Sequence, residues 1–300
     1  MIGVSTCYWS EDQTRDPEQI INDIIDTGFE AIELEYRISE AQFKKMRPHI
    51  KKKLKVLSIH NYFPKPDDPH IKGSGDLFLL SSTDRDEHSA AIKYTIKTIE
   101  HANDMEANAV VLHLGKVNME NPFEGFKRLF QEGKIGKKEG KRFIEKQKKL
   151  RDSVNQKNLD AVLRALDKLV IYAERYGVLL GIENRFYFHE IPNIKELEII
   201  LKEFEGSNIR YWHDIGHAVV QERLGICKQK DLLMSFENDM IGMHIHDIKG
   251  IEDHLAPGEG NFNFSEIIKV TKKDILKVLE VHNKGKKENL RRARDIIREL

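Results

Sequence analysis

Short apolar runs that end on polar side chains recur along this chain and constrain its fold more than any other feature. One run reads Gly242-Met243-His244-Ile245-His246-Asp247. Similar runs are Ser58–His60, Val110–His113, Leu180–Arg185, Tyr211–His217 and Val278–His282. Runs of about four to eight apolar residues suit strands that are buried on both faces, as in a parallel sheet. If each strand carries its polar residue at the carboxyl end, these side chains converge on one rim.

Strand and helix signals alternate eight times in the sequence. Strand candidates lie near residues 2–6, 30–35, 55–60, 108–114, 178–184, 209–214, 241–247 and 276–282. Helix signals lie between most of them, such as Asp16-Pro17 before an apolar stripe and Ser39 as an N-cap. With no linker-like break, the pattern predicts a single (β/α)8 barrel domain over residues 1–300 rather than an open doubly wound sheet. The glycine motifs of nucleotide-binding folds are missing.

Residues 116–158 interrupt this alternation with a stretch rich in Lys and Glu. We interpret it as a charged helical insertion in the loop after the fourth strand. One reading is a solvated pair of helices. The other is a substrate lid or a partner surface.

Composition narrows the class of protein. The 300 residues are 40% hydrophobic and 33% charged, and 49 basic residues balance 49 acidic ones. The net charge gives no sign of a dominant nucleic-acid footprint, although a local basic face such as 284–298 stays open. Cys7 and Cys227 are too few for a disulfide framework, and neither a secretory signal nor a membrane span is evident. We therefore expect a cytoplasmic protein without membrane contacts.

Four side chains at the predicted ends of strands five to eight form a candidate metal site. They are Glu183, Asp214, His246 and Glu280. Three carboxylates and one imidazole suit Mn²⁺, Co²⁺, Mg²⁺ or Zn²⁺ and leave room for substrate oxygens. His244 lies two residues before His246 and faces the same side of the strand. Either can be the strand-seven ligand, and His246 is preferred because it is nearer the loop.

Further imidazoles lie close to the same rim. They are His60, His113, His217 and His254, which stand at two strand ends, three residues after Asp214 and before Gly258-Glu259-Gly260. Together with His244 they either bind additional ions, which would give up to three metals per chain, or contact the substrate.

Charged and aromatic residues near the strand ends are candidates for substrate binding. Arg185 and Lys249 are placed to meet an anionic or hydroxyl-rich ligand, or to pair with rim carboxylates. Glu33 and Glu35, at the end of strand two, are further candidates, unless one simply pairs with a neighbouring Lys or Arg. Trp9 is a candidate wall residue, as are Tyr8, Tyr62, Phe63, Phe186 and Tyr187, unless they only pack the rim.

The motifs at four strand ends resemble those of the xylose-isomerase-like TIM-barrel superfamily. They are Gly181–Asn184, Asp214–Ala218, His244–Asp247 and Leu279–His282. This superfamily includes sugar phosphate isomerases and epimerases and the AP endonuclease family 2, and the resemblance covers nearly the whole chain. It implies that Glu183, Asp214, His246 and Glu280 bind one shared metal. It also implies that the additional histidines can build a three-metal cluster, as in the endonucleases, whose strand-seven run favours His244.

Two reaction types follow from the resemblance. In the first, a sugar, sugar acid or sugar phosphate is isomerised or epimerised through a metal-stabilised enediolate, with Glu183 and Glu280 as the catalytic residues that exchange a proton at carbon. The chain departs from the ketose 3-epimerases because Asn184-Arg185-Phe186 directly follows Glu183 and Asp253-His254 replaces an Arg pair.

In the second, two or three ions support phosphodiester hydrolysis. The substrate is then abasic-site DNA or a small nucleotide-like phosphodiester, and the balanced charge favours the small one. A metal-free binding module would require the rim residues to be decayed, and nothing in the sequence suggests decay. The pattern is compatible with a homo-oligomer.

Overall fold

Eight parallel strands form a closed barrel in a computed structural model that describes residues 1–12, 14–66, 68, 70–268, 274–282 and 287–298. The barrel strands are β1 (Ile2–Ser5), β2 (Ala31–Leu34), β3 (Lys55–His60), β4 (Ala109–Leu112), β5 (Leu179–Glu183), β6 (Ile209–Asp214), β7 (Met240–Ile245) and β10 (Leu276–Leu279), and two further strands are β8 (Asp247–Lys249) and β9 (Glu252–Leu255). Each barrel strand pairs with the next along the chain, and β10 closes on β1. The short strands β8 and β9 form an antiparallel hairpin outside the barrel. The predicted (β/α)8 barrel is confirmed.

Helices surround the barrel, and some of them begin or end at residues that favour helix termini. They are α1 (Cys7–Ser10), α2 (Pro17–Asp26), α3 (Glu40–Lys53), α4 (Arg85–Asp104), α5 (Phe123–Gln131), α6 (Lys138–Val154), α7 (Gln156–Tyr176), α8 (Ile194–Glu203), α9 (Ile215–Arg223), α10 (Gln229–Phe236), α11 (Ser265–Ile268) and α12 (Lys287–Arg298). Asp16 caps α2, and Ser39 with Gln42 forms a capping box on α3. Gly177 ends α7 in the left-handed conformation that glycine adopts without strain.

The core has two parts. The larger one lies between the barrel and the helices. The smaller one consists of Ala109, Val111, Trp212 and Val278. Trp212 needs the glycines of the neighbouring strands, since a Cβ at Gly242 would lie 2.2 Å from its ring. The indole therefore packs beneath the rim where the polar side chains gather.

The stretch 116–158 contains α5 and α6, and α6 is tied to the loop that follows β5. Arg151 on α6 is buried, and its guanidinium donates to the carbonyls of Phe188 (3.1 Å) and Glu190 (2.7 Å). It also pairs with Glu196 on α8 at 2.6 Å. The interpretation of this stretch as an insertion in a single domain stays a prediction. No helix in the described ranges is long and apolar enough to cross a membrane.

Candidate metal centre

Four inward-facing side chains at the carboxyl ends of β5, β6, β7 and β10 lie around one point. Glu183, Asp214, His244 and Glu280 are all buried, and their ligand-capable atoms lie within 4.8 Å of one another. The Nδ1 atom of His244 is 2.8 Å from Glu183 Oε1, 3.1 Å from Glu280 Oε2 and 3.7 Å from Asp214 Oδ2. Strand register explains the meeting, because Asp214 pairs directly with His244. We call these four residues the central cluster.

A second group gathers on the other oxygen of Glu183. His60 at the end of β3 and His113 after β4 approach Glu183 Oε2 with their Nε2 atoms at 3.6 and 2.6 Å. Arg185 reaches the same oxygen at 3.2 Å. Glu183 therefore faces the central cluster with Oε1 and the two histidines with Oε2. If cations were bound in both groups, Glu183 would have one oxygen for each.

A third group joins α9 to the β8–β9 hairpin. His217, Asp253 and His254 also present ligand-capable atoms within 4.8 Å of one another. His254 Nδ1 lies 3.1 Å from Asp253 Oδ1, and His217 Nε2 lies 3.9 Å from Asp253 Oδ2. His246 stands just after β7, with Nε2 at 3.1 Å from both oxygens of Asp214. It belongs to a fourth group, in which ligand-capable atoms of Asp214, His246, His254 and Glu280 lie within 4.8 Å of one another.

Fixed acceptors determine which ring nitrogen two of these histidines turn toward the clusters. His60 Nδ1 is 2.9 Å from the carbonyl of Asn61, and His217 Nδ1 is 3.0 Å from the carbonyl of Asn184. A carbonyl can only accept, so Nδ1 carries the hydrogen and Nε2 keeps a lone pair. Both histidines thus present a ligand nitrogen to their cluster.

Carboxylates determine which ring nitrogen His113 and His244 turn toward the clusters. His113 Nδ1 faces Asp76 Oδ2 at 3.2 Å, which leaves Nε2 for the Glu183 side. His244 Nε2 lies 3.0 and 3.2 Å from the two oxygens of Glu33, which leaves Nδ1 for the central cluster. Carboxylates in this position orient metal-binding imidazoles and raise their basicity. The donor set of carboxylate oxygens and imidazole lone pairs fits a divalent cation.

Mutual attraction shifts the pKa values around Glu183. Burial alone would raise the pKa of the Glu183 carboxyl, but the charge of His113 and hydrogen bonds from His113 and His244 hold it well below its ordinary value. Burial and Arg185 would lower the pKa of His113, yet the charges of Asp76 and Glu183 raise it to about 9. In the metal-free protein the His113 imidazole therefore keeps its proton beside the Glu183 carboxylate. The same negative charge would attract a metal cation.

The pKa shifts around Glu280 have the same pattern. Burial would lower the pKa of His244, but the charges of Glu280 and Glu33 raise it well above the ordinary value. Burial is likewise overcome at His254, whose pKa Asp253 raises. Burial would raise the pKa of Glu280, and His244 and His254 hold it well below its usual range. Both sides of the rim therefore attract positive charge.

A cavity of about 250 Å³ opens above the clusters, and it contains only some of the predicted substrate residues. Phe186 and Tyr187 line it. Arg185 lines it too, but its guanidinium is already paired with Asp76, Glu183 and Glu190 at 3.0, 3.2 and 3.1 Å. Lys249 is exposed on β8 and Trp9 is buried, and neither lines this cavity. Their substrate contacts stay predictions without support from the cavity.

Three acidic residues of the site were not selected as candidate ligands from the sequence. Asp76 lies in the loop between β3 and α4, where Gly75 allows a close approach, since a Cβ there would lie 2.6 Å from His113 Nδ1. Asp253 directly precedes His254, and Glu33 lies at the end of β2, where an ion pair explains it equally well from the sequence. The available signal was the Gly73-Ser74-Gly75 turn before an acid in a long loop at the active end of a barrel.

The fold and the rim clusters define a class of protein, a TIM barrel with carboxylate and imidazole groups gathered at the carboxyl ends of its strands. The chain belongs to the xylose isomerase-like TIM barrel family, whose pattern matches residues 21–300. It is 31% identical over 145 residues to the uncharacterized protein MJ1311 of Methanocaldococcus jannaschii. That match includes 47% of this chain and 48% of the relative, so the chain spans about half the length of the curated relative it matches.

Solved structures share the fold over the whole chain. A D-tagatose 3-epimerase-like protein superposes with a TM-score of 0.70 at 20% identity, covering 99% of this chain and 96% of that one. The 3-keto-D-glucoside 4-epimerase YcjR from E. coli, in its apo form, gives a TM-score of 0.69 at 13% identity, covering 100% and 99%. At these identities the likeness shows the barrel fold.

Proposed function

We propose that the protein is a divalent-metal-dependent isomerase or epimerase of a sugar, sugar acid or sugar phosphate. The observation that carries this proposal is the central cluster, which places Glu183, Asp214, His244 and Glu280 together beside a small cavity. The names of the two structural neighbours describe them as acting on sugars or as resembling such an enzyme, which supports the same substrate class here.

The proposed ligands of the shared ion are the four residues of the central cluster. His244 takes the strand-seven position because Glu33 accepts its Nε2 hydrogen and leaves Nδ1 toward the three carboxylates. The donor set suits Mn²⁺, Co²⁺, Mg²⁺ or Zn²⁺. A bound divalent ion would polarise a substrate carbonyl and its neighbouring hydroxyl and favour the negative charge that develops there.

The two glutamates differ in the oxygen they leave for a substrate. The closest approaches of His244 and His254 to Glu280 are both to Oε2, at 3.1 and 3.6 Å, which leaves Oε1 for a substrate proton. Both oxygens of Glu183 are already engaged. The lowered pKa of Glu280 keeps it ionised and able to accept that proton. We propose Glu280 as the proton-transferring group, and one such group suffices for aldose–ketose isomerisation.

Metal content and solvent exchange test the proposal together. Protein purified without a His-tag and without chelator is assayed for metal per chain, and then incubated with a panel of ketoses and sugar phosphates in deuterated water. We expect about one divalent ion per chain and incorporation of deuterium at a substrate carbon that the Glu280→Gln variant no longer supports. Protein that carries no ion and exchanges no substrate proton would contradict it.

A second candidate is phosphodiester hydrolysis, and the two flanking histidine groups favour it. Five carboxylates line the cavity. Among the described lining residues, Arg185 is the one that is Lys or Arg. An anionic phosphodiester therefore needs more than one divalent cation to offset that negative charge. The five are Asp76, Glu183, Glu190, Asp253 and Glu280. Two to three Zn or Mn per chain, with cleavage of a small phosphodiester, would favour this candidate over the first.

A further inference from the structure

His246 differs from the other rim histidines in what its ring nitrogens meet. It is fully buried just after β7, two residues beyond His244. Its Nε2 atom is 3.1 Å from each oxygen of Asp214, and its Nδ1 atom accepts the backbone N–H of His254 at 2.8 Å. One ring nitrogen thus faces a carboxylate and the other faces a donor.

The hydrogen-bond partners determine which ring nitrogen of His246 carries the hydrogen. A backbone N–H can only donate, so His246 Nδ1 must hold a lone pair and the ring hydrogen must lie on Nε2. That hydrogen points between the two oxygens of Asp214. Binding of a cation through Nε2 would require the hydrogen to move to Nδ1, where it would meet the N–H of His254 head on. His60, His113, His217 and His244 have the opposite arrangement, with an acceptor behind the ring.

The surroundings of His246 hold its ring in this orientation. A Cβ at Gly216 would lie 1.9 Å from His246 Cε1, so the ring rests against a position where only glycine fits. The ring also stacks on that of His254, with centroids 4.2 Å apart and planes 9° apart. His254 adopts φ +56°, the left-handed region, in the conformation that directs its N–H at His246. Turning the ring over would place carbon atoms against both polar partners.

We propose that His246 is a positioning residue that donates a hydrogen bond to Asp214, while His244 supplies the strand-seven nitrogen. Asp214 Oδ1 also accepts the backbone N–H of His217 at 2.7 Å. The two donors together hold the carboxylate in the orientation that its place in the central cluster requires. The inference rests on the proposed function, because that proposal makes Asp214 a metal ligand.

Two substitutions at His246 separate positioning from ligation. The amide nitrogen of His246→Gln stands near the place of Nε2, so it can still donate to Asp214, whereas the shorter His246→Asn cannot reach. By calorimetric titration with Mn²⁺, we expect His246→Gln to keep the wild-type stoichiometry with a Kd within about threefold, and His246→Asn to weaken the Kd by about 10–100-fold. The matched variant His244→Gln should lose one equivalent of bound Mn²⁺, the one at the central cluster. A lost equivalent in His246→Gln, with an unchanged metal-free melting temperature, would overturn the inference.

A readout that needs no metal keeps the inference separate from the proposed function. In metal-free protein labelled with ¹⁵N-histidine, the His246 ring signals are assigned by their disappearance in His246→Gln. We expect the ring hydrogen on Nε2. A hydrogen on Nδ1 would overturn the inference by itself. Wild-type protein that binds no Mn²⁺ or Zn²⁺ would instead remove the proposed function, and the ring hydrogen would still decide the role of His246.

Discussion

Two sides of the rim place an imidazole against a buried carboxylate, yet they differ in what lies behind the ring. On the β3–β5 side, His113 Nε2 lies 2.6 Å from Glu183, and the carboxylate of Asp76 stands behind it. On the β6–β7 side, His246 Nε2 lies 3.1 Å from Asp214, and a backbone N–H stands behind it. A short distance between imidazole and carboxylate therefore does not identify a ligand. The partner of the far nitrogen decides whether the ring can bind a cation or only support one.

Substitution of Glu183 should have the largest effect, because its two oxygens face both the central cluster and the β3–β5 histidines. We expect Glu183→Gln to lower metal-dependent turnover by more than the roughly 10–100-fold that outer partners cost, while the circular dichroism spectrum stays unchanged. Glu203→Gln, at an exposed position on α8, is the control. Retained turnover in Glu183→Gln would remove this residue from the site.

Removal of Arg151 tests how the β3–β5 side is held. Its pair with Glu196 is buried at both partners, so Arg151→Met leaves an uncompensated carboxylate and should lower the free energy of unfolding by about 3–5 kcal/mol. Urea denaturation measures the change. Lys149→Met, which breaks an exposed pair on the same helix, should leave the midpoint unchanged. Equal midpoints for the two variants would show that the buried pair of Arg151 on α6 with Glu196 does not stabilise the fold.

Replacement of Asp76 should affect metal binding on the β3–β5 side of the rim only. We expect Asp76→Ala to weaken metal binding beside His113 by about 10–100-fold, because the carboxylate that directs the ring hydrogen is lost. Binding at the central cluster should change little, so a titration should resolve one weakened and one retained step. Asp68→Ala, an exposed carboxylate in the same loop, is the control. Loss of both steps would mean that the sides are not independent.

The two sides should also respond to pH in opposite directions in metal-free protein. The pKa of His113 is raised from 6.5 to about 9, so the stability it contributes is full below 6.5 and is lost as the pH rises through 9. Burial lowers the pKa of His213, beside Asp214, to about 4, so its proton uptake in the unfolded chain lowers stability as the pH falls below 6.5.

Urea midpoints at pH 5, 6.5 and 9.5 measure both slopes. We expect His113→Gln to flatten the alkaline slope and His213→Gln to flatten the acid slope. A variant that flattens neither would show that the titrating group lies elsewhere.

Sequence patterns predicted the barrel and the convergence of its strand ends because both depend on local regularities. Apolar runs mark strands, and a strict inward and outward alternation carries Asp214 and His244 to the same side. The choice between His244 and His246 is different. It depends on Glu33 and on the backbone of His254, which reach those rings through the folded chain, and on β7 ending at Ile245. Periodicity contains no information on such partners.

The pairing of Arg185 shows a second limit of the sequence. A lone arginine beside a metal-binding motif suggests an anion contact, and only the folded loops reveal that three carboxylates already surround it. Asp76, one of the three, comes from a loop more than a hundred residues away in the chain.

The tryptophan beneath the rim bears on the order in which the proposed ligands would bind. Trp212 is fully buried among the glycines of β5 and β7, and its ring lies 5.1 Å from that of His244. It fills the barrel on that side of the central cluster, so a bound cation and a substrate would share the entrance at the rim. Under the proposed function, a cation at the central cluster would lie deeper than the substrate, so it would enter first and leave last. Saturating substrate should accordingly slow the removal of metal by a chelator.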